Sequence, residues 1–243
     1  MTQLNLDGYK RQLHTINMKK MIIFSLILMV AGTAFFVGLN LLFAPKISSP
    51  VWWVWLAAVV VMFFLFFLHE ILHAFSFIVF GKAKTKDIKF GGNIQQGMLY
   101  CTCVKPLKKG AYIITILFPF IVTLLGGIAV SLFQGYIVWP IVTGILLSGC
   151  AGDIMMAYKV SKLRKNSLML DHPTAPAYYE LCPADNLPDG FIEATPEQEA
   201  SLDKEIKQYQ TANSKTNKIL GLILLGLFCI LIIATVVILI LHK

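Results

Sequence analysis

Long apolar runs constrain the fold of this 243-residue chain more than any other feature. Each run can cross a hydrocarbon layer of roughly 30 Å as a helix, which takes about 20 residues. Helices are required because lipid offers no hydrogen-bond partners to an open backbone. Five segments are almost free of charge: 21–43, 52–80, 111–133, 136–158 and 219–241. We therefore expect an all-α polytopic membrane protein, inserted in the lipid bilayer with about five transmembrane helices.

The composition agrees with this expectation and excludes several other classes. Hydrophobic residues make up 57% of the chain and charged residues only 14%, far from the balance of a soluble domain. The net charge of +8 comes mostly from lysines in loops beside the apolar segments, without an arginine-rich face. We therefore expect no nucleic-acid partner. The five cysteines include no pair of CxxC motifs, so no cysteine metal cluster is expected.

Lysine placement predicts the orientation of the helices. The loop 82–109 holds seven lysines against the single acid Asp87, and residues 159–165 add four more basic side chains. The turns on the opposite side hold only Lys46, apart from the basic end of the chain. Cytoplasmic loops are the ones enriched in lysine and arginine. We expect a multi-pass cell-membrane protein with a cytoplasmic N-terminus.

The polar segments divide the chain into parts. Residues 1–20 are expected to form a cytoplasmic N-terminus, and residues 21–160 a membrane-embedded core. Within that core, the loop 82–109 contains two stretches rich in β-forming residues, 84–90 and 98–104, separated by glycines. This pattern predicts a small cytoplasmic β-hairpin.

A second cytoplasmic region is expected over residues 161–218, before a C-terminal transmembrane helix within 219–243. Its first half is rich in proline and is expected to be irregular. Its second half opens with Thr195-Pro196-Glu197-Gln198, which combines a cap, a first-turn proline and a capping-box partner. This signal predicts one helix that runs to about Ala212.

The motif that carries chemistry lies inside the second apolar segment. His69-Glu70-Ile71-Leu72-His73 fits the pattern H-E-x-x-H. Residues four apart share one face of a helix, so both imidazoles can bind one zinc ion, with Glu70 as the general base. Ionisable groups in membrane helices are costly and usually mark function. The alternative is that these three residues end a membrane helix near the headgroups.

Asp153 is the candidate third zinc ligand, since a catalytic zinc ion takes three protein ligands and one open position. Asp153 and His69 lie at similar distances from the outer ends of two helices that run in the same direction. The alternative is that Asp153 pairs with Lys159 or Lys162. His172 could also reach the site, although a turn residue is the simpler interpretation.

These motifs resemble a known family. The stretch from His69 to Gly81, the lysine-rich hairpin and Ala151-Gly152-Asp153-Ile154 are similar to the putative zincin peptidase family of bacterial membrane proteins. They are more distantly similar to the site-2 intramembrane zinc metalloproteases. In those proteases the aspartate ligand precedes a glycine, whereas here Gly152 precedes Asp153.

The resemblance covers roughly residues 60 to 175. It implies a zincin-like core within residues 21–160 and a location in a bacterial plasma membrane. It also implies zinc bound by His69, His73 and Asp153, with Glu70 as the general base.

Three functional classes fit these features. The first is a zinc metalloprotease that hydrolyses a membrane-associated or transmembrane peptide at or near the cytoplasmic membrane face, with water activated by zinc and Glu70. The second is a non-catalytic metal-binding membrane scaffold or sensor. The third, a metal transporter, is disfavoured because the other apolar segments lack a chain of polar residues leading outward.

Overall fold

The computed structural model describes residues 8–44, 51–93, 98–172, 177–198, 200–201 and 204. Helices make up most of this part of the chain. They are α1 (Met18–Phe43), α2 (Trp52–Val79), α3 (Lys109–Phe133), α4 (Val138–Gly149) and α5 (Ala151–Ser161). The strands are β1 (Tyr9–Thr15), β2 (Ile88–Asn93), β3 (Met98–Cys103), β4 (Leu107–Lys108), β5 (Leu168–Asp171) and β6 (Ala177–Pro183).

The structure confirms a mostly helical architecture whose long helices are compatible with a membrane protein. By length and composition, α1, α2 and α3 are each able to cross a membrane. The pair α4 and α5 adds a fourth span if it is taken as one helix with a bend of 42°. The expected fifth crossing, residues 219–241, lies outside the described residues.

The bend between α4 and α5 falls at Cys150. Its backbone angles, φ −78° and ψ 2°, leave the helical range, and its N–H is 3.1 Å from the Leu147 oxygen. That contact is one residue shorter than an α-helical bond, so the chain tightens and turns before Ala151. The segment predicted as one helix over residues 136–158 is therefore two helices.

Small residues let the helices approach closely. A Cβ atom added to Gly144 of α4 would lie 2.5 Å from both the backbone nitrogen and the Cα of Thr33 in α1. Near the C-terminal end of α1, the side-chain amide of Asn40 donates to the backbone oxygens of Ser131 and Gln134, at 3.0 and 2.7 Å. Helix α1 is thus held against both α4 and α3.

A four-stranded antiparallel sheet lies at one end of the helices, in the order β1-β6-β5-β4. We call this end the sheet side. Strand β1 pairs with β6 from Tyr9 opposite Pro183 to Thr15 opposite Ala177. The expectation of an all-α fold with a single hairpin was therefore too narrow, and the expectation of an irregular proline-rich stretch is wrong for β5 and β6. Strand β6 is buried along almost its whole length, so it lacks the alternating pattern by which half-buried strands are recognised.

The predicted hairpin is confirmed as the separate two-stranded sheet of β2 and β3. The predicted start of the helix after residue 194 is also confirmed. The Gln198 N–H lies 3.3 Å from the Thr195 hydroxyl oxygen, and the Thr195 N–H lies 3.2 Å from the Gln198 side-chain oxygen. The expected continuation to Ala212 lies outside the described residues.

One buried cluster joins the sheets to the helices on the sheet side. It brings residues of α2, α3 and α5 together with residues of β3, β4, β5 and β6. Its largest members are Phe77, Leu107, Tyr112, Met169 and Tyr178. This packing fixes the hairpin and the four-stranded sheet against the helix ends that carry the site described next.

Candidate metal centre

The side chains of His69, His73 and Asp153 converge on one point between α2 and α5. The Nε2 atoms of His69 and His73 lie 3.2 and 3.4 Å from the same carboxylate oxygen, Oδ2 of Asp153. The three ligand atoms lie within 4.8 Å of one another. The histidines share one face of α2 because they are four residues apart.

Asp153 reaches this point because of the bend at Cys150. The bend starts α5 two residues before Asp153, which places the carboxylate in the first helical turn. The alternative pairing with lysine does not describe this structure. The Lys159 ammonium donates to the Thr15 oxygen at 2.6 Å, and the Lys162 ammonium lies 4.1 Å from the centre of the Tyr158 ring.

The donor set fits a zinc ion. Two ligands held about 2.1 Å from one tetrahedral zinc ion lie about 3.4 Å from each other, close to both distances between Asp153 and the histidines. Apart from the two imidazole nitrogens at ion-pair distance, the buried Oδ2 atom of Asp153 has no hydrogen-bond partner within the described residues. A cation held jointly by this oxygen and the two imidazoles would compensate the cost of burying the carboxylate.

Glu70 lies beside these three residues but outside the ligand group. Its carboxylate is within electrostatic range of His73, His69 and Asp153, and the backbone N–H of Cys101 in β3 interacts with it. Glu70 precedes the end of α2 by nine residues, or about 14 Å along the helix. Strand β3 therefore folds back alongside α2 and borders the site.

Neighbouring polar groups fix the helix that carries the histidines. The Ser76 hydroxyl, one turn after His73, lies 2.9 Å from the Thr115 oxygen of α3 and 2.8 Å from the His73 oxygen. The sulfur of Cys150 lies 3.9 Å from Nδ1 of His69, at the other side of the centre. These contacts hold the α2 face that carries His69 and His73 between α3 and the bend.

Asp171 is a residue near the site that sequence reasoning missed. Its carboxylate accepts hydrogen bonds from the Tyr112 hydroxyl of α3 and, at 2.9 Å, from the Cys103 N–H of β3. Burial raises the pKa of Asp171, and these two donors offset part of the rise. In the sequence Asp171-His172-Pro173, only the histidine was considered as a possible ligand, because an aspartate before a histidine and a proline also fits a simple turn.

His172 is not part of the metal centre. It lies directly after β5, where its N–H donates to the Ala177 oxygen at 3.1 Å. Its ring packs 5.6 Å from the ring of Tyr179. The ligand group found within the described residues consists of His69, His73 and Asp153.

Comparison with known families agrees with the resemblance seen in the sequence. Residues 62–168 match the family described as putative zincin peptidase, and this match confirms that resemblance. The matched range contains the H-E-x-x-H motif, the hairpin and Asp153. The more distant similarity to site-2 proteases is not shown. Comparisons with curated proteins and with solved structures give no match.

Proposed function

We propose that this protein is a membrane-embedded zinc metallopeptidase that hydrolyses peptide bonds near the membrane face on the sheet side. The observation that carries the proposal is the convergence of two histidine nitrogens on one buried oxygen of Asp153, with Glu70 beside them and outside the ligand group. The name of the matching family supports both zinc and peptidase chemistry.

In this proposal His69, His73 and Asp153 hold the metal, which leaves one position open for chemistry. A bound zinc ion supplies Lewis acidity, which makes water a stronger acid and polarises a peptide carbonyl. Glu70 takes the proton from the attacking water and passes it to the leaving amine nitrogen. The backbone N–H of Cys101 interacts with the Glu70 carboxylate and would help to orient it toward the water.

The location of the site suits a substrate in or beside the membrane. His73 lies six residues before the end of α2, about 9 Å along the helix from the sheet side. His73 is buried and the Asp153 side chain is 20% exposed, so the centre lies just beneath the protein surface. We propose that a membrane-associated or transmembrane peptide reaches it from the sheet side, and that this side faces the cytoplasm of a bacterial cell.

The first experiment measures zinc per chain in the detergent-purified protein, together with hydrolysis of two probes. The probes are fluorescently labelled casein and a quenched synthetic peptide of apolar, membrane-spanning sequence. Wild type is expected to hold about one zinc ion and to cleave a probe. Asp153→Ala and His73→Ala are expected to lose both zinc and cleavage.

Glu70→Gln separates catalysis from metal binding. This variant is expected to keep zinc and to cleave about 100-fold to 10,000-fold more slowly, because an amide cannot accept the proton. A folded wild type without zinc contradicts the proposal. Zinc in the wild type and in Glu70→Gln, without cleavage by either, assigns the protein to the alternative class of non-catalytic metal-binding scaffolds or sensors.

A further inference from the structure

Asp171 connects three elements next to the metal centre. It ends β5, accepts a hydrogen bond from the Tyr112 hydroxyl at the start of α3, and accepts another from the backbone N–H of Cys103 in β3. The hairpin of β2 and β3 belongs to a different sheet from β5. Asp171 is therefore a cross-link between the four-stranded sheet, the third helix and the hairpin.

The bond to Cys103 has a consequence for Glu70 because of the geometry of a strand. The N–H groups of residues two apart in an antiparallel strand point toward the same edge. The Cys103 N–H points away from β2 toward Asp171, so the Cys101 N–H also points away from β2. Strand β3 packs against α2, which carries Glu70, and the Cys101 N–H interacts with that carboxylate. The outer edge of β3 thus faces two carboxylates from outside the hairpin, and Asp171 is the one that accepts a hydrogen bond of 2.9 Å from it.

We propose that Asp171 is a positioning residue: by anchoring Cys103, it fixes β3 so that the Cys101 N–H stays against the Glu70 carboxylate. The assignment of Glu70 as general base rests on the proposed function. The anchoring of β3 by Asp171 does not, because it follows from contacts among groups of the protein alone.

Within the described part of this loop, the other polar contacts do not replace the bond from Asp171. The Asp87 carboxylate accepts from the Lys84 N–H at 3.0 Å, and the Lys105 ammonium donates to the Lys82 oxygen at 2.6 Å. Both contacts close the base of the loop 82–105 on itself. Neither ties the outer edge of β3 to α3 or to the four-stranded sheet.

The thiols of β3 report directly on this anchoring. Cys103 is buried and Cys101 is partly buried. Burial raises the pKa of Cys101 to about 12 and that of Cys103 to about 11. Both thiols are therefore protonated near neutral pH and react slowly with a maleimide. Release of β3 from Asp171 would expose them and increase the rate.

The test measures maleimide labelling of each cysteine by peptide mapping in the full-length, zinc-supplemented protein in detergent. Asp171→Ala removes the acceptor, and we expect the labelling of Cys101 and Cys103 to become about tenfold faster or more. Asp171→Asn keeps an oxygen that can accept from Cys103, and we expect labelling close to that of the wild type. Asp87→Ala is the matched control, because it removes a carboxylate-to-N–H bond of the same loop away from the edge of β3.

Two buried thiols outside the hairpin, those of Cys150 and Cys182, distinguish local release from unfolding. Their labelling, and the zinc content, should be unchanged in Asp171→Ala. Unchanged labelling of Cys101 and Cys103 in this variant overturns the proposal. So does faster labelling of Cys150 and Cys182 together with Cys101 and Cys103, because it would make Asp171 a general stability residue.

Hydrolysis of labelled casein gives a second measurement. We expect Asp171→Ala to lower kcat with little change in KM, and Asp171→Asn to recover most of the rate. An equal loss of rate in Asp171→Asn and Asp171→Ala contradicts the positioning role. If the wild type itself cleaves no probe, the proposed function fails, whereas the labelling rates still decide whether Asp171 anchors β3.

Discussion

The Nε2 atom of His69 lies 3.2 Å from Oδ2 of Asp153, although 84 positions separate the two residues in the chain. This contact depends on the bend at Cys150, because the bend starts a new helix just before Asp153. In a straight helix over residues 138–161, the Asp153 side chain would lie at a different position relative to α2. The geometry of the candidate metal centre is therefore coupled to the packing of α4 and α5.

Zinc should stabilise the folded protein through these residues. An ion that binds the folded state alone raises the free energy of unfolding, by about 2.7 kcal/mol when the free ion exceeds Kd 100-fold. We expect a chelator to lower the Tm of the detergent-purified wild type, and added zinc to restore it. In Asp153→Ala neither treatment should change the Tm. An equal chelator effect in both proteins would place the bound metal elsewhere.

The close packing of α1 on α4 gives a second prediction. A methyl group at Gly144 would collide with the backbone of Thr33, which cannot move without shifting α1. We expect Gly144→Ala to destabilise the protein by about 1–3 kcal/mol, the usual cost of overpacking. Because α4 leads into the bend before Asp153, zinc affinity should fall as well.

Gly126→Ala is the matched control for that substitution. Gly126 lies in α3, and an added Cβ would meet no atom within 4 Å. Its Tm should stay equal to that of the wild type or rise slightly, since alanine favours a helix. Equal losses of Tm in the two variants would show that the contact between Gly144 and Thr33 is not what limits stability.

Features encoded over one or two helical turns were predictable from the sequence. A long apolar run predicts a membrane helix by itself. The first helix begins at Met18, within three residues of the predicted start at Met21. The spacing of His69 and His73 places both on one face of any helix. The structure brings Asp153 to them, as the matching depths suggested, while zinc binding by the three residues stays a prediction.

The four-stranded sheet was not predictable in the same way. Its longest pairing joins β1 to β6, which are more than 160 positions apart, and no local pattern encodes that contact. β1 carries charged side chains, and β6 is buried on both faces. Asp171 was missed for the same reason, since its partners on β3 and α3 become neighbours only in the folded chain.

The contact between α2 and α3 gives a third prediction. The Ser76 hydroxyl is fully buried and bonds to the Thr115 oxygen one turn beyond His73. We expect Ser76→Ala to lower stability by about 0.6 kcal/mol, the average for hydrogen bonds between membrane helices. Zinc content should be retained, but zinc affinity should fall because α2 is held less firmly.

The matched control is Ser161→Ala, which removes an exposed hydroxyl bonded only within the end of α5. An unchanged zinc affinity in Ser76→Ala would contradict the role of this contact in holding His73.

Glu180 of β6 should make the stability of the four-stranded sheet depend on pH. Burial raises the pKa of Glu180, but hydrogen bonds from His14 and Ser167 lower it by more than burial raises it. The pKa of Glu180 therefore lies below the ordinary value of 4.5. The unfolded chain therefore binds a proton more readily than the folded chain does. This contribution to stability is fully present above the ordinary pKa and is lost as the pH falls through the lower, folded value.

We expect the Tm of the wild type to fall more steeply than that of Glu180→Gln between about pH 6 and about pH 3. Glu193→Gln is the control, because Glu193 forms an exposed ion pair with Lys10, and the loss of such a pair should change the Tm little. If Glu180→Gln and the wild type follow the same curve, the bond between β1 and β6 through His14 and Glu180 does not contribute to acid sensitivity.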